Sequence, residues 1–246
     1  MNKKRISAWI ISILLILILW QLAAAVIKAP LILPSLKLVF KNCGKLLINK
    51  NFWVNFVITL IRIFTAFIIS SVLGILIGFL CGSFEFFNYF FEFPLALLRT
   101  VPVIAFILFV IYWFSSNTVP VFVCVMMSFP VMVSSVTSGF KKGSKELLEM
   151  ADNFNLTSMQ IFKYIKLPQV IPFIKNGLVQ TFGLCWKVTV AGEVLCIPKK
   201  GLGSLLQKSQ IHLETAEILA ITLIMVIFSF VLEMLLKLLL AGKNEN

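Results

Sequence analysis

Long apolar runs, each wide enough to cross a bilayer as a helix, recur along this chain and constrain it more than any other feature. About 20 predominantly apolar residues cover the hydrocarbon core as an α-helix. Runs of that scale are read at Ala8 to Ile27, Phe52 to Leu80, Phe86 to Phe114, Val119 to Val136, Ile171 to Val194 and Ala216 to Leu240. Composition agrees. Of 246 residues, 60% are hydrophobic and 13% charged, whereas soluble domains carry about a quarter charged residues. An ordinary soluble enzyme, a disordered chain and a disulfide-framed secreted module are excluded. Backbone polar groups in lipid must be satisfied within the segment. The expected fold is therefore an all-α, polytopic membrane bundle of six transmembrane helices.

Lysine and arginine total 22 against 10 acidic residues, a formal charge of +12. In a chain of this hydropathy the excess is read as basic loops flanking membrane spans, not as a nucleic-acid surface. The first run follows Lys3, Lys4 and Arg5. A cleaved leader ending at Ala23-Ala24-Ala25 competes with a retained helix. The length of the apolar run and Trp20 as an interfacial anchor favour retention. Residues 1–50 then form an N-terminal helix with its connection, and residues 51–246 the main transmembrane domain. No regulatory domain is expected after the sixth run. Charge at the loop flanks leaves the orientation open. The cysteines Cys43, Cys81, Cys124, Cys185 and Cys196 show no paired spacing and read as small core residues.

The polar stretch between the fourth and fifth runs carries the most information. Ser144 is placed to cap a short helix, with Glu146 near its positive end. Leu147, Ala151 and Phe154 fall at i, i+4 and i+7 on one face, widened by Leu148 and Met150. Asn155 tolerates the left-handed conformation that ends many helices. Thr157-Ser158-Met159-Gln160 fits a capping box that opens a second helix. That helix is expected to stop before Pro168, since a residue preceding proline avoids helical angles. The result is a compact apolar knob with acidic rims. It is either an interfacial helix lying on lipid headgroups or a docking surface for a soluble partner.

Within the spans, Ala66, Ser70, Gly74, Gly78 and Gly82 recur every four residues, a spacing that lets helices approach closely. They either pack one chain or form a seam between two. Arg62 continues the row. Lys187 and Glu193 lie inside the fifth run, six residues apart, and do not share a helical face. Ionisable groups at such depth are functional candidates by default, with a structural contact between helices as the competing reading. Pro94, Pro102, Pro120 and Pro130 are placed to kink or break helices. His212 is single and reads as a surface residue. The chain carries no phosphate-cradling Gly-x-x-x-x-Gly-Lys-(Ser/Thr) loop, no Gly-x-Ser-x-Gly elbow and no His-Glu-x-x-His pair. No catalytic residue, metal or cofactor is expected, and any energy source must come from another chain.

The run Glu146-Leu147-Leu148-Glu149-Met150-Ala151-Asp152-Asn153-Phe154-Asn155, followed by Leu167-Pro168, resembles the cytoplasmic motif of bacterial ABC-importer permeases. Met150 replaces the first alanine of the motif's Glu-Ala-Ala core, and Asn155 stands where glycine is usual. Leu33-Pro34-Ser35, Arg99-Thr100-Val101-Pro102, Trp113-Phe114, Trp186, Glu193 and Gly201-Leu202-Gly203 resemble motifs of the sulfonate, nitrate and taurine branch, in order, from about Leu33 to Leu240.

The resemblance implies a type I, methionine-importer-like permease fold in the bacterial inner membrane, with both termini cytoplasmic and a cytoplasmic coupling helix at about 144–156. Its docking residues would be Glu146, Leu147, Glu149, Met150, Ala151, Asp152, Phe154 and Asn155. The implied partners are two copies of an ABC ATPase, a substrate-binding protein and a second permease copy. Arg62, Arg99, Trp186, Lys187 and Glu193 are candidates for the translocation path of a small sulfonate-, nitrate- or vitamin-precursor-like solute. A stand-alone ion-coupled secondary transporter is the alternative, and Glu193, Glu217 and Glu233 are the carboxylates it would use. A membrane-embedded enzyme would need clustered His, Asp or Ser, which the chain lacks.

Overall fold

The computed structural model describes residues 3–142 and 145–241, apart from the side chains of residues 3–6, 9, 10, 145, 146, 148 and 152. Ser144 lies outside the described residues, as do the side chains of Glu146 and Asp152. Regular secondary structure among the described residues is helical throughout. The order is α1 (Lys3–Ile27), α2 (Leu36–Ile48), α3 (Lys50–Ser83), α4 (Glu85–Thr100), α5 (Val103–Val110), α6 (Val119–Lys141) and α7 (Lys145–Asn153). Then come α8 (Ser158–Ile161), a π turn (Phe162–Lys166), α9 (Leu167–Cys196), α10 (Leu202–Ile211) and α11 (Thr215–Ala241).

Helices α3, α6 and α11 are long and apolar enough to cross a membrane. The pair α4–α5 supplies a fourth such length, bent by 96°. In α1 the apolar stretch among the residues whose side chains are described is Ile11–Ile27, and the 30 residues of α9 are diluted by Lys175, Asn176, Gln180, Lys187 and Glu193. By length and apolarity, then, three to four of the six expected spans are distinct.

The core is a three-helix unit of α3, α6 and α9. A Cβ added at Gly74 would lie 2.4 Å from Met132 Cβ, at Gly78 2.6 Å from Val136 Cβ, and at Gly82 2.6 Å from Phe140 Cβ. The small-residue row therefore packs within this chain, and its partners rise in step with it. Helices α3 and α6 run parallel. Against α9 the order reverses: Gly139 faces Phe173, Gly177 faces Ser135 and Gly192 faces Pro120, so α9 is antiparallel to both. Two parallel helices need a return path. The segment between Ser83 and Val119 must go from the end of α3 to the opposite end of α6, so the bent pair traverses the bundle and does not double back.

The bend sits at Val101-Pro102, where Val101 is extended (φ −64°, ψ 125°) as a residue before proline prefers. The other prolines do not break their helices. Pro120 occupies the first turn of α6, where no backbone donor is needed, while Pro94 and Pro130 lie inside α4 and α6.

Helix α11 runs back along α9 and is clasped by α2. The Cys43 thiol donates to the Ala220 carbonyl at 3.8 Å, and the Phe228 ring packs on Phe56 with centroids 4.6 Å apart. One end of the bundle thus holds α2 and α10, and the other α7 and α8. All five cysteines are buried and free.

The chain reverses between α7 and α8 at Asn155, which adopts φ 51°. The Thr157–Gln160 capping box is present in both directions. The expected stop before Pro168 does not occur. Leu167 is helical (φ −62°, ψ −47°) and the chain passes through the π turn directly into α9. A π turn admits one extra residue locally, and it lies just before Pro168, whose lost N–H is absorbed there without ending the helix.

Candidate functional site

On α3, Asn55, Thr59 and Arg62 occupy i, i+4 and i+7, so one face carries an amide, a hydroxyl and a guanidinium. On α9 the matching position is Glu193, fully buried. Arg62 Nη1 donates to Glu193 Oε1 at 2.6 Å and to the Lys200 carbonyl at 2.8 Å. Its Nη2 donates to Asn117 Oδ1 at 3.1 Å. The Thr59 hydroxyl lies 2.8 Å from Glu193 Oε2. Three successive backbone amides of the Gly-Leu-Gly loop complete the site. Gly201 N–H donates to Asn55 Oδ1 at 2.7 Å, Leu202 N–H to Thr59 Oγ1 at 2.8 Å, and Gly203 N–H to Glu193 Oε2 at 3.0 Å.

Both glycines are required by space. Gly201 has φ 155°, and a Cβ there would lie 2.7 Å from the Glu193 carboxyl carbon and 2.9 Å from Arg62 Nη1. A Cβ at Gly203 would lie 2.4 Å from Glu193 Cβ and 2.6 Å from the Val194 nitrogen. A buried ion pair repays its desolvation only when the remaining lone pairs and protons are also bonded, and here both Glu193 oxygens accept while Arg62 Nη1 and Nη2 both donate. It joins α3, α9, the α5–α6 connection and the α9–α10 loop at the α10 end of the bundle. Chemically it is a clamp: one ion pair ties four segments of the chain together.

The other sequence candidates lie elsewhere. Arg99, exposed on α4, donates from Nη2 to the Pro130 carbonyl at 3.0 Å. Asn117 precedes α6, and Pro130 lies eleven positions beyond the helix's first residue, about 16 Å of helix rise. Arg99 lines a polar cleft between α4 and α6 with Glu92, Ser134, Thr137 and Lys141. Trp186 is buried and Lys187 exposed on the α9 face toward α11, where they line a cleft with Phe230 and Glu233. So Arg62 and Glu193 come together, while Arg99 and the Trp186–Lys187 pair sit in two separate clefts. Asn55, Thr59 and Asn117 escaped the sequence reading. The first two were signalled by their helical spacing from Arg62.

Within the α7 segment, Ala151 is buried, whereas Met150 is 45% and Phe154 72% exposed. Leu147, Glu149 and Asn155 are exposed as well. Met150 on this nine-residue helix and Phe154 just beyond its end, both facing outward, are the opposite of what a solvated turn would present.

Comparison with known proteins gives the context for this arrangement. The chain is 25% identical over 226 residues to the taurine transport system permease protein of Escherichia coli strain K12, covering 89% of this chain and 82% of that protein. It is 27% identical over 169 residues to the glycine betaine/carnitine transport permease protein of Listeria monocytogenes, covering 68% and 59% respectively. Its fold is similar to that in the crystal structure of an amino acid ABC transporter with histidines, with a TM-score of 0.60 at 18% identity, over 75% of this chain and 88% of that one. Residues 70–242 match the family described as the inner membrane component of binding-protein-dependent transport systems. With most of its length inside that match, the chain belongs to this family of ABC-transporter permeases.

Proposed function

We propose that this chain is the non-catalytic, membrane-spanning subunit of an ATP-driven importer. Two copies form the translocation path, and each docks one ATPase subunit through the segment 144–156. A soluble binding protein delivers solute at the α10 end. The α7 end, with both chain termini, faces the cytoplasm, α1 and α9 count among six spans, and residues 1–50 form a unit peripheral to 51–246. The observation that carries this reading is the α7 segment: a short helix with a buried alanine and an outward-facing Met150, followed by an outward-facing Phe154, set between two helices of the core. A docked motor shifts the balance between inward-open and outward-open packings through differential contacts at such a knob.

Arg99, Trp186 and Lys187 are proposed to line the path, with Arg62 and Glu193 holding its outer end. The solute is a small polar molecule of the sulfonate or betaine kind, since relatives are named for taurine and for glycine betaine and carnitine.

The test is ATP hydrolysis by the complex reconstituted in liposomes with its ATPase and binding protein. Met150→Asp places a charge on the exposed face of α7 and is expected to abolish the stimulation of ATPase activity by loaded binding protein while the permease still accumulates in the membrane. Full stimulation in that variant would overturn the docking assignment.

A further inference from the structure

The cleft between α9 and α11 holds a charge that the fold leaves unsatisfied. Lys187 stands nine residues from the end of α9, about 13 Å of helix rise inside the bundle. It has no hydrogen-bond or ion-pair partner among the described residues, although it is exposed. Its neighbour across the cleft, Glu233, is already engaged: its Oε1 accepts from Lys237 Nζ at 2.7 Å, one turn further along α11. The carboxylate that lines the cleft is thus paired with another lysine, and Lys187 is left as its unpaired charge. Its walls are apolar and aromatic, with Trp186 on one side and Phe230 on the other. Its volume of about 550 Å³ is in the range that holds small solutes. An ammonium at this depth is costly against lipid, and a small organic anion would satisfy it.

We propose that the α9–α11 cleft is a transient binding station for a small amphipathic organic anion, with its charged group on Lys187 and its carbon body between Trp186 and Phe230. This rests on the permease reading and adds to it a location and a charge class for the solute inside the membrane domain.

The experiment uses Ser229→Cys, on the α11 wall of the cleft, in the full complex with its ATPase in liposomes. The five native cysteines are buried. Two thiol reagents of similar size are compared, 2-sulfonatoethyl methanethiosulfonate and its trimethylammonioethyl counterpart. The anionic reagent is expected to react about tenfold faster than the cationic one, a modest focusing effect for a charged cleft. Lys187→Gln should abolish the preference and Lys187→Arg should keep it. Reaction only with a neutral, lipid-soluble maleimide would mean that the cleft faces lipid. Protection from all three reagents would mean that a second protein surface covers it. Equal rates unaffected by Lys187→Gln would mean an open cleft without anion selectivity. Each of these overturns the proposal while leaving ATPase stimulation through α7 intact, whereas absence of stimulation in the unmutated complex would overturn the permease reading instead.

Discussion

At the scale of single residues, Glu193 decides the most. Removing one member of a buried ion pair strands the other, a loss of about 3–5 kcal/mol, whereas replacing both by apolar groups of similar volume is often neutral. Glu193→Gln leaves the Arg62 guanidinium without its counter-charge, so a large drop in thermal midpoint is expected in detergent, followed by loss of helical signal on heating. The double variant Arg62→Met with Glu193→Met should melt above either single variant. Additive losses would show that the two side chains contribute independently. Gly203→Ala tests the loop from the other side. Its methyl group would sit 2.4 Å from Glu193 Cβ, inside any tolerated contact, and α10 must move away. Trypsin cleavage at Lys199 or Lys200 should accelerate in that variant. Little of this was legible beforehand. Arg62 and Glu193 were each visible as charges inside apolar runs, but they stand 131 positions apart, and no local periodicity links residues so far apart. Gly201-Leu202-Gly203 was visible only as a pattern; that its amides cap a carboxylate and a hydroxyl follows from packing.

At the scale of elements, α3 and α6 are held at a distance set by glycine. Gly78→Val would drive branched carbon into Val136, and overpacking of a filled core costs about 1–3 kcal/mol. A lower thermal midpoint is expected for Gly78→Val, and no comparable change for Gly44→Val, since nothing lies within 4 Å of a Cβ at Gly44. This row was legible because a spacing of four residues is a local property of one helix. So were the turn at Asn155 and the box at Thr157, both fixed by side chains within a few positions of the backbone they cap. The prolines were less readable. The same residue type breaks the chain at Pro102, starts a helix at Pro120 and sits inside one at Pro130, because neighbouring turns decide whether a lost donor can be absorbed. At Pro168 a π turn did so, which no nearest-neighbour rule anticipates.

For the whole molecule, the parallel pairing of α3 with α6 and the reversal at α9 fix which loops share an end. Phe154→Cys and Lys237→Cys should be labelled by a membrane-impermeant maleimide from the same side of sealed vesicles, and His212→Cys from the opposite side. Labelling of Phe154→Cys and His212→Cys from one side would contradict the topology. The charge pattern alone could not decide this, since lysines flank the spans at both ends, whereas the order of glycine contacts does.

One continuous piece of backbone runs from Ser158 through the π turn to Cys196 without a loop. Helix α9 alone is about 45 Å long at 1.5 Å per residue. It is gripped at its far tip by Arg62 and meets α8 at its foot. Such a rod acts as a lever arm: tilting its base by about 5° swings the tip by about 4 Å over that length, further than the hydrogen bonds around Glu193 can stretch. A disturbance felt at the foot must therefore either drag the α10 end with it or break the clamp.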